Sequence, residues 1–243
     1  MLLFAAAFAG IAQGLGNQAV IPASFFFGAA AGPVALLVAT HDRIGIGTAA
    51  PMLTLVETGL FGGGVALLLG GLFDELLTGS SAASVAPVGF IEEPAKLVPV
   101  VVIAMRKHLL SKRSGVALGM AVATGFAVLE SMSYAYQQLH GKHVLDADAV
   151  LLTRGLTTPF SHLAWTGIFC AVAFAVWQRR GKVVVTPAIV GALLLVCVLH
   201  SANDVLLSLS AAVAHLLYVV VAVVSYWVFH RLTRDLKTST RQP

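Results

Sequence analysis

Ile91-Glu92-Glu93-Pro94-Ala95-Lys96-Leu97-Val98-Pro99-Val100-Val101-Val102-Ile103 sets two carboxylates and one ammonium group inside an otherwise apolar run. An ionisable side chain in hydrocarbon costs several kcal/mol unless it is paired or wet, so such residues mark ion handling or chemistry. Working outward from this stretch, the same anomaly recurs three times. Phe126-Ala127-Val128-Leu129-Glu130, His162 at the end of Thr157-Thr158-Pro159-Phe160-Ser161-His162, and His200-Ser201-Ala202-Asn203-Asp204 each lie between long apolar segments. Carboxylates, imidazoles and a lysine on four separate helices are hard to explain as packing. Together they predict one site.

The composition settles the solvent. Hydrophobic residues are 58% of the 243 and charged residues 11%, with a mean hydropathy of +0.90. Soluble domains carry roughly 25% charge. The expected fold class is therefore all-α, a polytopic transmembrane helical bundle forming a single integral membrane domain over 1–243, with its motif-bearing core at about 86–206. The sequence pI near 9.3 does not point to nucleic acid, because the basic residues lie in short loops where membrane topogenesis accounts for them. Cys170 and Cys197 fall in mid-span and read as small apolar residues, not as a disulfide framework.

Apolar runs predict seven spans, at roughly 19–40, 51–73, 86–106, 115–139, 155–178, 184–206 and 209–231. Residues 2–13 are an eighth candidate at the N-terminus. They lack a basic flank and a small-residue cleavage site, so they read as an extra, partial or interfacial segment and not as a signal peptide. The loops split by charge. Arg43, then Arg106, Lys107, Lys112 and Arg113, then Arg179, Arg180 and Lys182, then Arg231, Arg234, Lys237 and Arg241 alternate with loops holding Asp74, Glu75, Asp146 and Asp148. Only Lys142 and Arg154 are basic on the second side. Lys/Arg excess marks the cytoplasmic face, so the C-terminus is expected inside and the 74–88 and 140–154 loops outside.

Helical rise then gives depth. Glu92, Glu93 and His162 lie roughly 10 Å below the outer end of their spans, Glu130 roughly 8 Å and His200 roughly 6 Å, at ~1.5 Å per residue across ~30 Å of hydrocarbon. Four helices thus deliver polar groups to one shallow outer depth.

Glu92 and Lys96 are four residues apart and Glu93 and Lys96 three, so the lysine reaches back to a carboxylate on one helical face. A plain buried ion pair is the bland alternative. The functional reading makes one glutamate a base that activates water while Lys96 fixes its partner's charge. Pro94 removes a backbone hydrogen bond and is expected to bend the helix. Phe126 shares a face with Glu130, and Gly115, Gly119 and Gly125 before it predict close helix contact. His200 and Asp204 repeat the four-residue spacing, as an oriented base, an oxyanion donor or half of a metal site. Should a divalent metal such as zinc be bound, Glu130, His162, His200 and Asp204 are its candidate ligands, although their spacing matches no closed zinc signature and His-Glu-x-x-His is absent. Glu57, His215 and His230 read as structural, His41-Asp42-Arg43 as a turn at the membrane surface, and Phe25-Phe26-Phe27 as core or lipid-facing.

At these residues the chain resembles the PrsW family of intramembrane proteases, within the wider group that includes the CAAX prenyl endopeptidases. The family pattern, in order, is Glu-Glu-x-x-Lys, Phe-x-x-x-Glu, a lone His helix and His-x-x-x-Asp. Here it reads as Glu92-Glu93-Pro94-Ala95-Lys96, Phe126 to Glu130, His162, and His200 to Asp204. The resemblance implies a hydrolase that cleaves a membrane-embedded or membrane-adjacent protein near the outer face, in the manner of first-site cleavage of a single-span anti-sigma factor. It implies catalytic roles for Glu92, Glu93, Lys96, Glu130, His162, His200 and Asp204. By similarity to the prenyl endopeptidases, a glutamate activates water and histidines stabilise the oxyanion; by similarity to PrsW proteins classed as metalloproteases, the same groups bind zinc. The competing class is a proton- or ion-coupled transporter, which also uses intramembrane Glu, Lys, His and Asp. Against it, the motif-bearing helices do not recur as an inverted repeat. The expected location is the cell membrane, multi-pass, with no nucleic-acid partner.

Overall fold

The computed structural model describes residues 1–16, 18–45, 49–78, 87–141, 144–209 and 212–238, and among these residues every regular element is a helix. They are α1 (Leu2–Leu15), α2 (Ile21–Ile44), α3 (Met52–Glu57), α4 (Gly63–Thr78), α5 (Val88–Arg106), α6 (Lys112–Gly141), α7 (Val144–Thr157), α8 (His162–Arg180), α9 (Pro187–Ser208) and α10 (Ala212–Thr238). A π-turn at Thr58–Gly62 joins α3 to α4, and a 3₁₀ turn at Thr158–Phe160 joins α7 to α8.

Among the described residues, six segments are long and apolar enough to cross a membrane: Ile21–His41, Met52–Leu76, Lys112–Gln138, Ala149–Arg180, Pro187–Leu207 and Leu216–Leu236. Seven were expected, and α5 is the difference. It forms as a 19-residue helix, continuous through Pro94 and Pro99, but Glu92, Glu93 and Lys96 make it too polar to count by composition. Its charged face is turned into the bundle, where Glu93 and Lys96 are fully buried. The eighth candidate is also a helix, α1, whose 14 residues reach only ~21 Å, short of the ~30 Å of hydrocarbon. It lies on α2 instead, with Ser24 Oγ donating to the Ala5 carbonyl at 2.9 Å and Phe8 stacked on Phe27 at 5.8 Å.

Two sequence expectations are corrected. His41-Asp42-Arg43 is not a turn but the last turn of α2, which Gly45 ends with φ 65°, a left-handed conformation that glycine adopts without a Cβ penalty. Residues 144–154 of the expected outer loop are helical, as most of α7, which buries Ala147 and Leu151 with Phe25, Ala29 and Val128 against α2 and α6. An apolar stripe on a helix was available there to cover the α2–α6 seam, and burial won over exposure. Residues 79–86 of the other expected outer loop, Lys142, Arg241, and the side chains of Asp146, Asp148, His215 and Lys237 lie outside the described residues.

The core is centred on α6 and α8. Phe126, Trp165, Phe174 and Phe229 are fully buried there. Close approach depends on glycines: a Cβ on Gly115 would stand 2.0 Å from the Phe174 ring, and one on Gly125 1.8 Å from the Gly59 carbonyl oxygen in the π-turn. Small residues at crossings let helix backbones meet in this way. One end of the bundle gathers the basic groups. Arg43 donates to Thr233 at 3.0 Å, Lys112 pairs with Asp235 at 2.8 Å, and Arg113 donates to the Leu236 carbonyl at 2.7 Å. Glu57 belongs to this end too, 3.3 Å from Lys107 and half exposed.

Candidate active site

Lys96 is the hub. An ammonium group has three N–H donors and no acceptor, and here each finds one partner: Glu93 Oε1 at 2.8 Å, Glu92 Oε2 at 3.4 Å and His162 Nδ1 at 2.9 Å. The ammonium nitrogen also lies over the Phe126 ring, 4.0 Å from its centroid. That contact gives the Phe-x-x-x-Glu motif a second task besides presenting Glu130.

His162 opens α8, immediately after the break made by Thr158-Pro159-Phe160. Because Lys96 can only donate, Nδ1 of His162 must accept, so its ring proton sits on Nε2. That nitrogen faces Glu130 Oε2 at 3.2 Å. The same oxygen takes an ion pair from Arg154 Nη2, while Arg154 Nε donates to Ser131 Oγ at 3.1 Å.

His200, on α9, is held at Nδ1 by Glu93 Oε1 at 2.9 Å and stacked on Trp165 with ring centroids 4.7 Å apart. Trp165 is itself anchored to Ser225 Oγ at 2.9 Å. The other nitrogen of His200, Nε2, lies 3.3 Å from Asp204 Oδ2 and 3.6 Å from Glu92 Oε2. The rings of His162 and His200 stand edge to face, 4.9 Å apart.

All seven residues singled out in the sequence thus meet in one polar cluster, carried by α5, α6, α8 and α9. Residues as many as 108 positions apart meet there, as Glu92 and His200 show. The order and type of these groups match one family. The family model for PrsW family intramembrane metalloproteases matches residues 23–229.

The chain belongs to this family.

It is accordingly a membrane hydrolase, an intramembrane protease. No curated protein and no solved structure matches this chain. The transport reading is not favoured, because the family match spans most of the chain and all four motifs.

The cluster also contains groups that sequence reasoning missed. By sequence Arg154 belongs to an outer loop, and only the folding of α7 onto α6 brings it to Glu130. Thr166, whose hydroxyl donates to Glu93 Oε2 at 3.4 Å, and Trp165 follow His162 by four and three residues. Helical periodicity from His162 would have found both.

The family's description implies a metal. Glu92, His162 and His200 form a group that could hold one, with ligand atoms within 4.8 Å of one another. The donor chemistry fits at His200, where a carboxylate takes Nδ1–H and leaves Nε2 available, the usual arrangement behind a metal-bound imidazole. It does not fit at His162 as placed. There Lys96 occupies the Nδ1 lone pair and the proton sits on Nε2, so neither nitrogen has a free lone pair. The Lys96 ammonium beside Glu92 also opposes a second cation.

Proposed function

We propose that this protein hydrolyses a peptide bond of a single-span membrane protein, with Glu92 as the base that activates water and without a step through a metal. One observation carries the choice of Glu92. Glu93 Oε1 is shared by Lys96 and His200, its Oε2 faces Thr166, and its side chain is 1% exposed, so it is held on both oxygens and closed to solvent. Glu92 has only the longer contacts to Lys96 and His200 and is 15% exposed. It alone of the two glutamates can take a proton from a solvent molecule.

In this reading, a water held at Glu92 gives its proton to the carboxylate as its oxygen attacks the scissile carbonyl carbon. The negative charge that gathers on the carbonyl oxygen is met by Nε2–H of a doubly protonated His200, whose Nδ1–H is held by Glu93 and whose ring Asp204 orients, while His162 keeps its Nε2–H on Glu130 and its Nδ1 on Lys96. Glu92 then returns the proton to the amide nitrogen, the C–N bond breaks, and a carboxyl group and an amine result. Glu93 and Lys96 hold the frame. The charge split of the loops supports a site on the outward side with the C-terminus cytoplasmic in the cell membrane, which fits the substrate that the family resemblance implies, an anti-sigma factor cut on its extracytoplasmic side. α5 would be the seventh span, shielded from lipid by its neighbours.

The test is purified protein with a single-span membrane substrate. Glu92→Gln keeps size and hydrogen bonding but removes the base, so turnover falls by about 10²–10⁴-fold while the thermal transition stays in place. Chelator leaves the wild-type rate unchanged, and elemental analysis finds no stoichiometric metal. Full cleavage by Glu92→Gln overturns the mechanism; loss of activity to chelator with recovery on adding zinc overturns the metal-free form of it.

A further inference from the structure

We propose that Arg154 is a positioning residue of this site: through Glu130 it sets the ring of His162, and so the place of the Nδ1 that accepts from the Lys96 ammonium beside the two glutamates. The proposal rests on the hydrolytic reading above and adds a residue that none of the four motifs contains.

The geometry is that of a clamp. Arg154 lies in the last turn of α7, and its guanidinium is held by three residues of α6. Nη2 pairs with Glu130 Oε2, Nε donates to Ser131 Oγ at 3.1 Å, and the guanidinium carbon sits 4.4 Å from the centroid of the Tyr134 ring. Contacts at its edge and on its face fix the plane of the group. The oxygen it holds is the one that His162 Nε2 meets at 3.2 Å. The opposite nitrogen of the imidazole is held by Lys96 at 2.9 Å. His162 is therefore fixed from both sides, by a donor on α5 and by an acceptor on α6 whose own place is set from α7. Without Arg154, Glu130 is a buried carboxylate with one neutral partner, free to rotate away from the ring.

Two simpler roles make different predictions. A residue that only balances the charge of Glu130 is replaceable by lysine, whereas a planar fork that fixes an oxygen is not. A residue that binds substrate through its exposed edge, 18% of the side chain, changes KM.

The experiment measures kcat, KM and thermal stability for purified Arg154→Lys, Arg154→Met, Glu130→Gln, the Arg154→Met/Glu130→Gln double variant and Glu92→Gln. The expected result for Arg154→Met is a kcat lowered about 10²-fold, the scale of a small misplacement of a reacting group, with KM within twofold. Arg154→Lys keeps the thermal transition but recovers only a small part of kcat, which keeps the test readable should Arg154→Met fold poorly. The double variant is no slower than the slower single variant, because both changes release the same ring. Full kcat in Arg154→Lys, a raised KM with unchanged kcat in Arg154→Met, or additive losses in the double variant each overturn the proposal. Glu92→Gln separates the two readings. Wild-type cleavage by that variant removes the hydrolytic mechanism itself, whereas an inactive Glu92→Gln beside a fully active Arg154→Lys removes only the role of Arg154.

Discussion

At Glu93 the carboxylate accepts from Lys96, His200 and Thr166 at 2.8, 2.9 and 3.4 Å, and no face of it is left to solvent. A glutamine whose amide oxygen takes the place of Oε1 still accepts from Lys96 and His200 and turns its NH₂ toward Thr166, but it carries no charge, so the Lys96 ammonium loses its nearest buried counter-ion. Breaking a buried pair in this way costs about 3–5 kcal/mol, because the charge left behind is desolvated. Glu93→Gln is therefore expected to lose cleavage and stability together, with a thermal transition several degrees below wild type. Glu92→Gln loses cleavage alone, since that side chain gives up only longer and partly exposed contacts. Thermal unfolding of the two variants in the same detergent checks this. Equal transitions would mean that the neighbouring glutamates share one structural role.

The element that positions Glu130 is α6, and what positions α6 is its crossing with the π-turn. A Cβ on Gly125 would stand 1.8 Å from the Gly59 carbonyl oxygen, and one on Gly63 2.6 Å from the Gly125 carbonyl carbon. Backbone meets backbone, and nothing flexible can give way. Gly125→Val must push α6 off the π-turn, at a cost of about 1–3 kcal/mol for overpacking. Glu130 lies five residues further along the same helix, so the displacement reaches its contacts with His162 and Arg154. We expect a lowered thermal transition and strongly reduced cleavage. Gly71→Ala on α4 is the control: nothing lies within 4 Å of the added methyl, and an exposed helical glycine gains about 0.5–1 kcal/mol on becoming alanine. Cleavage by Gly125→Val at the wild-type rate would show that this crossing does not position the site.

For the molecule as a whole, the basic groups of α2, α6 and α10 meet at one end, through Arg43–Thr233, Lys112–Asp235 and Arg113–Leu236. Glu130 lies 18 residues beyond Lys112 on α6, or ~27 Å along the helix axis. The cluster is thus remote from the basic end. With the basic end cytoplasmic, the site sits toward the outside. Single cysteines at Asp146 and at Arg180, in a background without Cys170 and Cys197, are expected to label from opposite sides of intact cells, Asp146 from outside. Outside labelling of Arg180 alone would invert the molecule and place cleavage on the cytoplasmic side.

Hydrophobicity and charge belong to each residue, so the membrane class, the helical runs and the four polar motifs could be read directly from the chain. Helical periodicity likewise paired Lys96 with both glutamates and His200 with Asp204, because neighbours on one helix need no knowledge of the fold. Which residues meet across helices is a different matter. Lys96 reaches His162 across 66 positions, and Glu130 meets Arg154 across 24. Those distances depend on how α7 folds onto α6 and where α8 breaks. Only the tertiary structure therefore separated the enclosed Glu93 from the partly exposed Glu92, set Nδ1 of His162 against the Lys96 ammonium, and brought an apparent loop arginine to Glu130. It also drew α5 inward, since three charges on one helix are tolerated in a bilayer only where other helices supply their partners.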